Sequence, residues 1–489
     1  MIVRRLPMLG VVAAATIVVA TAGRDAGAPV QATFSAVSAT DPWMPSAPVV
    51  PTLSTTWFCP AIPASGAEGV SGEVLIANAD PAELQAIVTL FGADGEPVVE
   101  DVTVAPQSRV AVDVGPLITT EYAGAIVEIT GGTGVVEQRA RSPIGAESSA
   151  TSVAACTTST SPNWYLSEGY TAEGSREQIV LTNPYSSAAT VQVRFATQDG
   201  SREPTELQRA IVPPRSVRVL DMSELAARDE PEVAVAVEAR QGELLVSRVQ
   251  TYAGTSRRGY AVTLAAPASR DQWWFADGEV AEGVSERYSI YNPGDDEVEV
   301  TAALLGIQSE SFVPIDPIEV GAGQVVTFTP ADVPGMPTGR HSMVFGTASL
   351  DARIVVERAL TRTFDGLPTT SVVVGAVPRY EDGYVATTWT MGFGVEEPTE
   401  GALVVYNVDA QDAVVTVQAV APEGIVNVPG LEEVALPANG LITIDLTDDA
   451  AVGRQLIVRS TSRVFVERLL PRDTGALGRV GSWPLPAAG

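Results

Sequence analysis

A tryptophan-led pattern recurs four times along this chain, and a sequence that repeats itself over that span folds as copies of one structural unit. The openers are WFCP at Trp57, WYLSEGY at Trp164, WWFADGE at Trp273 and WTMGFG at Trp389, roughly 110 residues apart, a whole-domain spacing. Each leads to a short apolar run ending in asparagine: LIAN at Asn78, VLTN at Asn183, SIYN at Asn292 and VVYN at Asn407. In three repeats a Pro-containing turn and an alternating strand then end at Asp113, Asp221 and Asp445, whereas the third repeat carries VGAGQVVTFTP. A later run reads VVEQ, LVSR, VVER and FVER, which sets Glu137, Ser247, Glu357 and Glu467 at matching places.

Within a repeat the period is that of β-structure. TVQVRF (Thr190 to Phe195) and SVRVLD (Ser216 to Asp221) alternate, TVQAV (Thr416 to Val420) is rich in β-branched residues, and Asp94-Gly95, Asn183-Pro184 and Asp199-Gly200 punctuate such runs as turns. Frequent Pro and Gly leave few windows for a long helix, SELAARDE (Ser223 to Glu230) being the best helical turn. A unit this long with seven or eight short strands fits an antiparallel two-sheet sandwich of immunoglobulin-like size, and it is too long for a propeller blade of about 40 to 45 residues. The expectation is an all-β chain of four tandem β-sandwich repeats, over 56–161, 162–270, 271–384 and 385–489, each folding as a module.

The N-terminus points to export. Arg4 and Arg5 precede an uncharged run from Leu6 to Gly23, and Ala20-Thr21-Ala22 has the small-x-small form of a cleavage site, with Ala26-Gly27-Ala28 a second candidate. Residues 1–28 therefore read as a signal peptide or, uncleaved, a membrane anchor, with the bulk of the chain outside the cytoplasm. Residues 29–55, rich in Pro, Ala, Ser and Thr, read as a flexible linker. The membrane is expected as a partner only through that first segment. Export also gives the two cysteines a role: Cys59 and Cys156 are predicted to form a disulfide across the first repeat.

Composition then narrows the chemistry. A net charge of −29 repels a phosphate backbone, which argues against nucleic acid as a partner. All 30 basic residues are arginine, so lysine chemistry is excluded, and the lone histidine, His341, is not accompanied by a nucleophile elbow. No cofactor and no metal site is expected, although Asp295-Asp296 and Asp448-Asp449 offer hard oxygens in turns from which a calcium site could be built.

The repeated landmarks have plain structural readings. Each opening tryptophan reads as a core aromatic, each asparagine as an Asx turn capping a hairpin, and each Glu-Arg step as cross-strand ion pairing at a solvated surface. The exception is Trp273-Trp274-Phe275, where adjacent rings on a strand must face opposite ways, so that one could form an exposed aromatic binding surface.

On Trp164, Glu168, Gly169, Asn183 and Pro184, and on Trp273, Asp277, Gly278, Asn292, Pro293 and Val355-Val356-Glu357-Arg358, the chain resembles tandem-repeat proteins of the actinobacterial envelope, secreted or membrane-anchored and of unknown function. The first repeat departs from the pattern with WFCP and Asn78-Ala79, and the last with Asn407-Val408. The resemblance implies an extracytoplasmic β-rich protein and transfers no catalytic residues. The expected function is a non-catalytic structural or binding array whose partner is an envelope glycan or envelope protein. The alternatives are a carbohydrate-binding module or a glycan-active hydrolase built on an acidic pair.

Overall fold

A computed structural model describes residues 44–67, 69–143, 149–307, 313–349, 351–364, 366–377, 385–396, 401–472 and 476–487. The segment read as signal peptide and most of the linker lie outside the described residues. Among the described residues the structure is β throughout, with only three single-turn 3₁₀ helices, at Thr205–Leu207, Met222–Glu224 and Pro330–Asp332. The helical turn expected in SELAARDE shrinks to the second of these, capped by the Asp221 carboxylate on the Ser223 N–H at 3.0 Å. No helix among the described residues is long and apolar enough to cross a membrane.

The first repeat shows the plan. One sheet runs Ser54–Pro63, Tyr122–Thr130, Leu84–Phe91, Val98–Val104, and the other runs Ser108–Asp113, Ser71–Asn78, Val135–Pro143, Ser149–Ala155, every pairing antiparallel. Between them Trp57, Val88 and Val127 of the first sheet meet Val74, Ile76 and Val136 of the second in one buried core. The second and third repeats keep the same strand orders; in the second, Ala210–Val212 adds a flanking strand. The last repeat fuses its two sheets, because Leu456–Arg472 runs unbroken through 17 residues and pairs with Ala386–Met391 along one part and Gly401–Asn407 along the other.

The asparagines do what an Asx turn requires, and more. Asn183 Oδ1 accepts the Tyr185 N–H at 3.0 Å, while its amide nitrogen donates to the carbonyls of Ser187, Val212 and Pro213. Asn78, Asn292 and Asn407 make the equivalent Oδ1 bonds to Asp80, Gly294 and Asp409. A buried amide thus ties each hairpin to a distant turn, which explains why the run stops at asparagine in every copy.

Cys59 and Cys156 are bonded, with Cα atoms 4.6 Å apart across a separation of 97 residues. Beside the bond, Phe58 and Thr157 exchange backbone hydrogen bonds. A loop of that length contributes about 4 kcal/mol in the chain-entropy picture. We therefore expect the non-reduced protein to show no free thiol by mass spectrometry, and reduction to lower its unfolding midpoint.

The repeats do not stand in an open row. The last strand of each sits at a sheet edge, and these edges meet: Arg258–Leu264 packs on both Ser149–Ala155 and Leu367–Val374, and Ala476–Ser482 packs on the same two neighbours. The first and last repeats touch directly through a cluster of Leu75, Val153, Phe393 and Leu470, and the end of the segment expected to be a flexible linker is instead packed in place, with Met44 and Ala47 buried and Ala47 bridged to Ala487. The chain closes into a ring, which covers four strand edges that would otherwise be exposed.

Candidate functional site

Three of the joints in this ring are built from the same parts. Arg248 of the second repeat grips Glu357 of the third at 2.8 and 3.0 Å, and the Glu357 Oε2 atom also accepts the N–H groups of Ser167 and Glu168 at 2.5 and 2.7 Å. Arg358 of the third repeat grips Glu467 of the last, which accepts the Asp277 N–H at 3.1 Å. Arg468 of the last repeat grips Glu137 of the first at 3.0 and 3.3 Å, and Glu137 accepts the Phe393 N–H at 2.7 Å. All six side chains are 0 to 1% exposed.

This corrects the expectation of solvated surface pairs. Successive residues of a strand do face opposite ways, but here both faces are covered, so Glu357 and Arg358 are both buried. Here the glutamate reaches back to the bulge that follows the preceding repeat's tryptophan, and the adjacent arginine reaches forward to the next repeat's glutamate. Strand pairing breaks register at that bulge, between Phe275 and Gly278 in the third repeat, and so turns N–H groups toward the carboxylate.

The fourth joint, between the first and second repeats, lacks this buried pair, and its contact between Arg176 and Glu121, at 3.4 Å, is solvent-exposed. Gln138 stands where the arginine should be and Ser247 where the glutamate should be, and Pro60, which has no N–H, occupies the position of Ser167. Removing one buried charge alone would strand its partner, so loss of both together is the tolerable change. The joint is filled instead by Phe91, Tyr122, Ile126, Val180, Val249 and Tyr260. The signal for this cassette was present in the sequence, since VVEQ lacks the arginine and LVSR the glutamate, but only ring closure shows that the two losses face one joint.

One buried acid lacks its partner. Glu286 of the third repeat accepts the Tyr288 hydroxyl at 2.5 Å and lies 3.1 Å from His341 Nε2. Burial alone would lower the His341 pKa, yet the Glu286 carboxylate outweighs it and raises it. In the second repeat the matching acid is Glu177, and opposite Gly169, where His341 lies opposite Gly278, stands Val233. Glu177 is fully buried and neither carboxyl oxygen has a hydrogen-bond partner. Burial, opposed by Arg248 and reinforced by Glu357, pushes its pKa up to about 8. The carboxyl is therefore neutral at pH 7 in the folded state and ionised in the unfolded one, and it costs stability progressively as pH rises from about 4.5 to about 8. We expect Glu177→Gln to stabilise the protein by ~1–3 kcal/mol at pH 7 to 8, with the difference from wild type vanishing near pH 4. Paired melting curves across that range check it.

The predicted aromatic surface is not exposed. Trp273 and Phe275 are 0 and 1% exposed, with Trp273 Nε1 donating to the Ile354 carbonyl at 2.8 Å and Phe275 set edge-on to Tyr288. Trp274 faces the other way as expected, but the last repeat covers it: its ring stacks on Tyr406 and Phe465 at centroid distances of 6.3 and 5.7 Å. His341 is buried, its Nε2 atom 3.1 Å from Glu286. Asp448 caps its own turn by accepting the Ala450 N–H, and the Asp296 carbonyl accepts from Asn292. No group of three metal-ligating side chains occurs among the described residues.

On the axis of the ring, where all four closing strands converge, lies a cavity of about 90 Å³. Its wall is formed by residues 152–155, 261–264, 372–374 and 480–484, with Met44 and Pro45 at one end. Every repeat contributes to it, and no charged side chain is among the described residues that line it.

An all-β ring of sandwiches with ionic joints and an apolar axis is the class of architecture that these features define. Residues 146–339 match the Family of unknown function (DUF5719). No curated protein matches the chain. Among solved structures, one titled "Crystal Structure of Thermotoga maritima 1070" is 15% identical, covering 22% of this chain and 94% of its own, with a TM-score of 0.19. Another, a tetra-tandem repeat in the extending region of a large adhesion protein, is 12% identical, covering 84% of this chain and 92% of its own, with a TM-score of 0.11.

Proposed function

We propose that the protein is a non-catalytic, extracytoplasmic component of the cell envelope, a structural or binding array of four repeats bounded near residues 161, 270 and 384. The observation that carries this reading is where the buried charge goes. Glu137, Glu357 and Glu467 each spend their carboxylate on an arginine and a backbone N–H of the neighbouring repeat. Carboxylates committed in that way hold repeats together and are not available as the acid or base of a glycosidase. The disulfide accords with an oxidising compartment. The partner proposed is an envelope glycan or envelope protein bound on the outer faces of the ring.

The test has two arms. Fusion of a reporter active only outside the cytoplasm to the C-terminus should give signal in cells, and the purified chain should release no product from envelope polymers while retaining some of them, or an envelope protein, in a pull-down. Turnover of any such polymer would overturn the non-catalytic reading, and a silent reporter would overturn the location.

A further inference from the structure

The axial cavity has the chemistry of a binding site for an apolar group. Val153, Val262, Val372, Val373, Val374 and Val480 line it and keep 4 to 6% of their surface exposed, whereas valines of the sandwich cores such as Val88, Val127 and Val356 are at 0%. That small residue of exposure on valines from all four closing strands is the inner wall of one shared space.

The polar side chains in the wall are already occupied. Ser152 Oγ accepts the Val262 N–H at 3.0 Å, Trp483 Nε1 donates to the Val374 carbonyl at 2.8 Å, and Ser482 Oγ accepts from Arg468 Nε at 3.0 Å. Thr263 Oγ1 takes a longer contact, 3.5 Å, from Arg248. The Ser152 bond joins the first repeat to the second and the Trp483 bond joins the last to the third, while the Ser482 and Thr263 contacts each stay within one repeat. The wall is dominated by valine and alanine side chains and no charged side chain is among its described residues, which favours an apolar occupant over a charged one.

We infer that the axial cavity binds an uncharged hydrocarbon group, entering beside Met44 and Trp483, where Pro45 and Pro484 also line the wall. The inference goes beyond the envelope-array reading and does not depend on it. Such a group could come from a free small hydrophobe or from the end of a longer alkyl chain, and both present the same apolar surface to the valines.

Equilibrium binding of labelled toluene and of n-octanol to the full chain separates the two sources. Ala261 and Ala154 both line the cavity, so Ala261→Leu and Ala154→Leu each place a larger side chain in the space. The expected result is saturable binding of about one equivalent of toluene, weakened at least roughly tenfold in either variant that keeps the wild-type melting profile. Octanol binding with the same sensitivity to the variants assigns the site to an alkyl chain, and toluene binding alone assigns it to a compact hydrophobe. No saturable binding of either probe to the wild type, or binding that both leucine variants leave unchanged, overturns the inference.

Discussion

Replacing Arg358 with methionine is expected to destabilise the folded chain by about 3–5 kcal/mol. Glu467 would then remain fully buried, with the Asp277 N–H as its one remaining partner from the third repeat. The same joint should tolerate loss of both charges far better, because the protein already contains that arrangement where Gln138 and Ser247 occupy the matching positions. The double variant Arg358→Gln/Glu467→Ser is therefore expected to recover most of the loss, leaving a net cost of ~1 kcal/mol or less relative to wild type. Urea unfolding of Arg358→Gln, Glu467→Ser and the double variant, analysed as a cycle, gives the coupling directly. A double variant as unstable as the sum of the singles would show that the pair does not act as one unit.

Trp274→Ala is expected to cost about 3–5 kcal/mol, the range for deleting a large buried ring. An exposed binding platform would predict almost no effect, within about 0.5 kcal/mol. The ring lies between repeats, stacked on Tyr406 and Phe465, so the damage should fall on the joint between the third and last repeats. Hydrogen exchange is the sensitive readout: amides of Gln272–Val280 and Leu456–Arg472 should lose protection before those of the first repeat's core strands.

The fold was legible because it is local. Alternation in SVRVLD and TVQVRF and the asparagine that ends each run specify strands and hairpins from residues near in sequence, and these match what forms. The disulfide was legible because the chain has only two cysteines. The joints were not legible in the same way. Glu357 finds Arg248 109 residues back and Glu137 finds Arg468 331 residues ahead, so partner choice is set by ring closure, which no pattern along the chain reports. Lacking that, a Glu-Arg step on a strand looks like surface charge. Trp274 misleads for a related reason: alternation places it correctly on the face away from its own core, and the neighbouring repeat then buries it. The axial cavity is a property of four edges meeting and has no signature in any single repeat.

Modular folding, expected from the repeats alone, is tempered by the same closure. The second repeat has a core of its own, from Trp164 through Ala265, but on its own it would expose the Arg248 guanidinium and the apolar faces of Val180, Val249 and Tyr260. Stability in this chain is shared across joints to a degree that a linear string of beads does not share it.

Closure is therefore the claim on which the joints, the buried tryptophan and the cavity all depend, and solution X-ray scattering of a fragment beginning at residue 44 tests it most directly. A compact ring of this length should give a radius of gyration of about 22 Å and a distance distribution with a single maximum. An open row of four sandwiches would instead give roughly 40 Å and a long tail, on the basis of domain-sized units laid end to end. The first result is the one this structure predicts, and the second would contradict it.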